Sequence, residues 1–233
     1  MKIVFIADAH IKGLDDPAQK TLCGFLENLS ADRLVIMGDL FDFWAGFNDV
    51  LFREYSPLLS ALSQLRKRGI EITYLEGNHD FSMGDLFTGS LGVKLYPDSA
   101  ELTLNGKKAF LSHGDMVDRT LTYALWRGFL RSFLFKALAA ILPAAFVWKT
   151  ARALSRKSRA SGEKYRGIEN HLKAFAREKI GEGYEAVVLA HSHIPALDII
   201  ETNGKKGVYV NPGSWTAGRN YIVYENGEFR LER

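Results

Sequence analysis

The sequence predicts an α/β protein, and three observations carry that reading. In the first third, apolar runs of strand length alternate with amphipathic runs at helical spacing, in the order strand, helix, strand, helix, strand. Each of those strands ends in acidic or imidazole residues. Further along, Asn-Gly pairs join short apolar runs, the strongest short-range hairpin signal. The alternation argues for a right-handed parallel core, and the hairpins for a mostly antiparallel second half.

Taken in order, residues 2–7 form a first strand that ends at Asp8-Ala9-His10. Residues 16–29 carry apolar positions at helical spacing, and Cys23 falls on that apolar side as a core residue. Residues 33–37 are a second strand, ending at Gly38-Asp39-Leu40-Phe41-Asp42, and a helix is expected over 50–68. Residues 70–75 form a third strand that runs into Gly77-Asn78-His79-Asp80, where glycine permits a sharp turn. Residues 101–104 and 107–111 make a hairpin around Asn105-Gly106, whose second arm delivers His113-Gly114-Asp115. A strand at 186–190 delivers His191-Ser192-His193. Hairpin-like units follow around Asn203-Gly204 and Asn226-Gly227, with a tight turn at 211–214 between them.

Residues 118–180 differ in kind and read as a helical insertion within a single domain spanning 1–233. Its stretches 129–136 and 137–148 are strongly apolar. Residues 149–166 then carry Lys149, Arg152, Arg156, Lys157, Arg159, Lys164 and Arg166 against one acid, Glu163. The apolar stretch is too short to span a bilayer: Lys136 and Lys149 bracket it and Pro143 interrupts it, whereas about 20 residues are needed. Peripheral attachment to a membrane surface fits better.

The bulk composition bounds the function. The chain has 233 residues, 47% of them apolar and 24% charged, which suffices for one large core. A net charge of +3 does not indicate a nucleic-acid partner, and no obligate protein partner is inferred. A single cysteine excludes an intramolecular disulfide. The first strand runs at once into Asp8, which argues against a secretory signal and for a cytoplasmic location.

Five of the six histidines sit at strand ends: His10, His79, His113, His191 and His193. Each alone reads as a satisfied polar residue beside a turn. Together with Asp8, Asp39 and Asn78 they are a set of oxygen and imidazole ligands suited to Mn²⁺, Fe²⁺ or Zn²⁺. The set is too large for one ion and suits two, roughly 3.5–4 Å apart with a bridging carboxylate.

The blocks Asp8-x-His10, Gly38-Asp39-x-x-Asp42, Gly77-Asn78-His79-Asp80, His113-Gly114-Asp115 and His191-x-His193 resemble those of the calcineurin-like metallophosphoesterases, in order and across most of the chain. The resemblance implies a four-layer α/β/β/α sandwich and a two-metal site. It assigns Asp8, His10 and His193 to one ion, Asn78, His113 and His191 to the other, and Asp39 to the bridge. With that set, His79 is not needed as a ligand and is expected to donate a proton to a leaving oxygen, with Asp80 orienting it by hydrogen bonding. Ala190 stands where the family usually has glycine.

Residues 38–44 with Gly46, Asp80-Phe81 and the position of the insertion more specifically resemble the UDP-2,3-diacylglucosamine pyrophosphohydrolases of lipid A biosynthesis. That family uses the insertion as a lid over the metal site that binds acyl chains. By this resemblance the expected partners are a nucleotide-linked lipid and the cytoplasmic face of the inner membrane, and the expected ions are two divalent cations, Mn²⁺ foremost. Tyr123, Arg152, Arg156, Arg159 and Lys164 are the corresponding lid contacts. One position departs: the best-known lipid A enzymes have arginine where this chain has His79, as the wider family does. The alternative reading is another phosphodiesterase, acting on a nucleotide or on a different nucleotide-linked lipid. A non-catalytic binding module is disfavoured, because such modules lose metal ligands and this chain retains the whole set.

Overall fold

The computed structural model describes residues 1–45, 49–117, 121–132, 135 and 162–233. Its elements run β1 (Lys2–Ile6), α1 (Pro17–Glu27), β2 (Arg33–Ile36), β3 (Trp44–Ala45), α2 (Asp49–Lys67), β4 (Glu71–Leu75), β5 (Asp80–Phe81), β6 (Lys94–Tyr96), β7 (Ser99–Leu104), β8 (Lys107–Ser112), α3 (Leu121–Arg131), α4 (Gly162–Glu182), β9 (Ala186–Val188), β10 (Ala196–Thr202), β11 (Lys205–Asn211), α5 (Trp215–Gly218), β12 (Tyr221–Glu225) and β13 (Glu228–Glu232).

Local chemistry explains the first helices. Asp16 caps α1, accepting from the Ala18 N–H at 3.0 Å, and Pro17 occupies the first turn, where its missing N–H does no harm. Pro57 lies inside α2 and offers no N–H to the Arg53 carbonyl; the Ser56 hydroxyl donates to that carbonyl instead, at 3.0 Å.

Two sheets form the centre. The first has the order β13-β12-β1-β2-β4-β6, with β1, β2, β4 and β6 parallel and β12 and β13 antiparallel additions. The second has the order β10-β11-β9-β8-β7. All three Asn-Gly hairpins form, with positive φ at both turn residues: 50° and 84° at Asn105-Gly106, 50° and 72° at Asn203-Gly204, 55° and 91° at Asn226-Gly227. The expectation of a mostly antiparallel second half fails at the centre of the second sheet, where β8, β9 and β11 are parallel. The chain leaves β8 and reaches β9 only after helices α3 and α4, a crossover long enough to return it in the same direction. The pair β3–β5 and strand β6 are too short to signal themselves by periodicity.

Strand alternation builds the layers. In β1, Val4 and Ile6 face α1 and α2, packing with Leu22, Leu26, Leu58 and Leu62, while Ile3 and Phe5 face the second sheet, packing with Leu111, Val188 and Val210. On the far side of the second sheet, Ile168, Leu172, Ala176 and Ile180 of α4 recur at four-residue spacing against Val187, Leu189 and Tyr209. The architecture is therefore the expected four-layer α/β/β/α sandwich. Cys23 lies in the core beneath α1.

The last turn of α4 depends on a glycine. A Cβ at Gly207 of β11 would come within 2.8 Å of Ile180 Cγ1, so the missing side chain makes room for Ile180, which is fully buried. Ile180→Ala should leave a cavity there and lower stability by about 2–5 kcal/mol, read as a shift in the urea midpoint. A shift below about 1 kcal/mol would show that α4 is not held by this contact.

Candidate metal centre

The parallel strands of both sheets point their C-terminal ends at one corner, the usual place for a site in an open α/β sheet. Asp8 and His10 follow β1, Asp39 follows β2, Asn78 and His79 follow β4, His113 follows β8, and His191 and His193 follow β9.

These side chains fall into two lobes. In one, His10 Nε2 and His193 Nε2 are 3.1 Å apart, and Asp8 Oδ1 lies 3.8 Å from the first and 3.4 Å from the second. In the other, His113 Nε2 lies 3.2 Å from Asn78 Oδ1 and 3.2 Å from His191 Nδ1. Asp39 joins them. Its Oδ1 accepts from the His79 N–H at 2.9 Å, which turns Oδ2 toward both lobes, 3.4 Å from His113 Nε2 and 3.8 Å from His10 Nε2. The trios Asp8–His10–His193 and Asp39–His113–His191 each hold their ligand atoms within 4.8 Å of one another. So does a third trio, His10–Asp42–His79.

The residues fit a pair of cations. Asp8 Oδ1 is buried and takes no hydrogen bond, an arrangement that leaves an anionic oxygen in want of positive charge. Burial pushes His10 down to about 3 and His191 down to about 4, so both imidazoles are neutral and keep a lone pair for ligation. Burial also opposes charge on His113, but Asp39 outweighs it and holds that imidazole up at about 10. Burial resists ionisation of Asp39 too, yet His113 and His79 keep its carboxyl well below the ordinary range. The corner is thus built around negative charge that needs a cation, and imidazole nitrogens and carboxylate oxygens are the donors that divalent first-row metals take.

The backbone is strained where these side chains leave it. Asp8 (φ 49°), His10 (43°), Asp39 (54°), His191 (69°) and His193 (60°) are five of the ten non-glycine residues with positive φ among those described. Such a conformation costs about 1–2 kcal/mol each, less for aspartate, and persists only when surroundings impose it. The site supplies them: Asp8 N–H donates to Gly38 O, His10 N–H to Asp39 O, Asp39 N–H to Asp80 Oδ1, and His191 N–H to Asp8 Oδ2.

Asp80 requires a correction. It was expected to orient His79, but its buried carboxylate accepts instead from the N–H groups of Gly77, Asp39, Leu40 and Phe41 and from the Tyr74 hydroxyl. The Asp80 carboxylate is turned toward the ends of β2 and β4, while the His79 ring faces Asp42 and His10, which separates the two. His79 Nδ1 donates to the Asp42 carbonyl at 2.9 Å, and its ring stands edge-on to His10 with centroids 4.8 Å apart.

Of the expected lid contacts, Tyr123 reaches the rim, where its hydroxyl donates to Asp115 Oδ2 at 2.8 Å. Lys164 lies in α4, and Arg152, Arg156 and Arg159 lie outside the described residues. Sequence reasoning passed over Arg127 and Arg131 of α3. Arg127 donates to Asp115 Oδ2 at 2.9 Å and Asp98 Oδ1 at 2.7 Å, and Arg131 to Pro97 O at 2.9 Å and Gly77 O at 3.2 Å. Their partners are far away in the chain, and the only local signal was their spacing of four on one helix face.

Two substitutions test this geometry. A Cβ on Gly77 would lie 2.1 Å from Asp39 Oδ1, so Gly77→Ala should displace the shared carboxylate and lower bound metal, measured by elemental analysis, before the fold melts. Asp80→Asn presents an N–H₂ to a pocket of donors and should lower stability by about 1–3 kcal/mol. If Asp80 served only to orient His79, that variant would keep wild-type stability.

The comparisons with known proteins follow the same lines. The family model described as "Calcineurin-like phosphoesterase" matches residues 1–195. The chain is 30% identical over 236 residues to the UDP-2,3-diacylglucosamine hydrolase of Haemophilus influenzae, covering 97% of this chain and 96% of that one. It is 29% identical to the protein of the same name from Porphyromonas gingivalis, covering 99% and 97%. Among solved structures, an archaeal phosphodiesterase superposes with a TM-score of 0.52 at 13% identity, covering 100% of this chain and 99% of that one, a likeness of fold alone. The chain belongs to the calcineurin-like phosphoesterase family.

Proposed function

We propose that this protein is a metal-dependent pyrophosphohydrolase that cleaves UDP-2,3-diacylglucosamine to 2,3-diacylglucosamine 1-phosphate and UMP in lipid A biosynthesis. The observation that carries the chemistry is the pair of ligand lobes sharing Asp39 Oδ2, together with a buried Asp8 oxygen that takes no hydrogen bond. The names and near-full coverage of the relatives support the substrate.

In this reading Asp8, His10 and His193 hold one divalent ion, Asn78, His113 and His191 the other, and Asp39 both. Mn²⁺ is the first choice, with Fe²⁺ or Zn²⁺ compatible with the same donors. When bound there, such a pair would supply hydroxide at neutral pH and offset the charge that develops on the phosphoryl oxygens. His79 handles the leaving group. With Nδ1–H donating to the Asp42 carbonyl, the second proton of the imidazolium sits on Nε2, and passing it to the departing oxygen leaves the neutral Nδ1–H ring. Asp80 acts at one remove, by holding the turn that carries Asp39.

The insertion 118–180 serves as the lid. Its apolar stretch 129–148 walls the acyl chains, and its basic residues, Arg152, Arg156, Arg159 and Lys164 among them, meet the diphosphate and the anionic inner face of the membrane. No helix among the described residues is long and apolar enough to cross a membrane; in this reading attachment is peripheral.

A second reading, a phosphodiesterase for another nucleotide-linked substrate, is favoured by His79, which stands where the best-known lipid A enzymes carry arginine. Incubation with Mn²⁺ and UDP-2,3-diacylglucosamine should release UMP. Cleavage of a generic phosphodiester without UMP release would exclude the lipid substrate and leave the second reading. His79→Ala should lower turnover about 10²–10⁴-fold with metal content unchanged. Full turnover in that variant would remove His79 from proton transfer.

A further inference from the structure

The apolar stripe of α4 contains one charged interruption. Glu169 follows Ile168, is 6% exposed, and points into the layer between α4 and the second sheet. Its Oε2 accepts from the Ser192 hydroxyl at 2.6 Å, the Tyr209 hydroxyl at 3.1 Å and Asn211 Nδ2 at 3.4 Å. Lys173 Nζ is 3.9 Å from Oε1 but lies closer, 2.8 Å, to Asp198 Oδ2 at the surface. Docking a helix does not call for this arrangement, since apolar side chains of similar volume pack as well as a buried charge or better.

Ser192 shows where the interaction leads. It stands between His191 and His193, which belong to different lobes of the metal centre. Both neighbours have left-handed backbone, φ 69° and 60°, so the turn is strained on either side of Ser192. The Ser192 hydroxyl is its inner anchor, donating to Glu169 while accepting from Asn211 Nδ2 at 2.9 Å and from the Ile194 N–H at 3.3 Å. Asn211 in turn accepts from the Gly213 N–H at 2.9 Å, fixing the neighbouring loop.

We propose that Glu169 is a positioning residue for the metal centre: by gripping Ser192 it sets His191 and His193 together, and so couples helix α4 to both lobes at once. No histidine substitution does this, because each histidine serves one lobe. The inference rests on the metal-centre reading above and names a residue outside the ligand set.

Co²⁺ is a suitable probe, because its visible absorption reports ligand geometry without turnover. Wild-type protein should take up two equivalents. Glu169→Ala and Ser192→Ala should weaken uptake of both equivalents about ten- to hundredfold and alter the Co²⁺ spectrum, as loss of partners behind a ligand does elsewhere. Glu169→Gln keeps a carbonyl for the Ser192 hydroxyl and should recover most of the affinity. Ile180→Ala, which loosens α4 at its far end, is the control for general destabilisation and should bind Co²⁺ as wild type does. Ser192→Ala removes a single oxygen and carries the test if Glu169→Ala does not fold. Wild-type affinity in both Glu169→Ala and Ser192→Ala would overturn the proposal, as would equal weakening in Ile180→Ala at matched melting temperature. Failure of the wild-type protein to bind Co²⁺ would instead overturn the metal-centre reading itself.

Discussion

The structure of the site depends on one buried carboxylate that touches none of the chemistry. Asp80 gathers the N–H groups of Asp39, Leu40 and Phe41 from the end of β2, and that of Gly77 from the end of β4. It thereby ties two parallel strand ends into one turn. Burial and the nearby Asp39 raise its carboxyl to about 7, while the Tyr74 hydroxyl and the surrounding N–H groups pull it back toward ionisation. A carboxyl whose charge is so finely balanced is favoured by anything that offsets Asp39. Cations in the two lobes would do that, so the clamp and the centre support each other through the shared neighbour.

The other ligands are held in a similar reciprocal way. Asp8 Oδ2 accepts from the His191 N–H, and the Ser214 hydroxyl donates to the Asp8 carbonyl. The first of these bonds crosses from one sheet to the other, at the corner where both sheets end. Gly38 and Gly77 allow the loops to interlock: a Cβ on the first would fall 2.6 Å from His113 Nδ1, and on the second 2.1 Å from Asp39 Oδ1. Packing this close tolerates no side chain and leaves the left-handed aspartates and histidines little freedom to relax. Two pairs of these strained residues hold each other directly, His10 N–H donating to Asp39 O and His191 N–H to Asp8 Oδ2.

Much of this was legible in the sequence, for a physical reason. Ligands at strand ends follow apolar runs, so His10, Asp39, Asn78, His113 and His193 announce themselves by position, and the structure brings them to one corner. Asn-Gly pairs require positive φ, and each of the three became a hairpin. Asp80 was misread because sequence adjacency to His79 implied contact, while its carboxylate is taken up by N–H groups at the ends of β2 and β4, brought to it only by the fold. Glu169, Arg127 and Arg131 were invisible for another reason. Their partners, Ser192, Asp98 and Gly77, lie on other elements, and a charged residue on a helix reads as solvated until the opposing surface is known. The parallel centre of the second sheet was hidden by the hairpins flanking it.

The insertion's first and last helices meet the centre on different sides, and this bears on how substrate choice and catalysis are joined. Helix α3 is fastened by Arg131 to the Gly77 carbonyl, immediately before Asn78 and His79. Helix α4 grips Ser192 between His191 and His193. The segment between these helices is the part that our functional reading assigns to acyl chains and diphosphate. A displacement of α4 would reach His191 and His193 through Ser192 as well as through the packing of Leu189, and one of α3 would reach Asn78 through the bond from Arg131 to the Gly77 carbonyl. The Ser192 turn carries left-handed backbone on both sides of it, at His191 and His193, a conformation that persists only when the surroundings impose it. If the proposed function holds, binding energy gained along the insertion would be available at the candidate ligands, so that the remote part of a large substrate would contribute to the reacting centre.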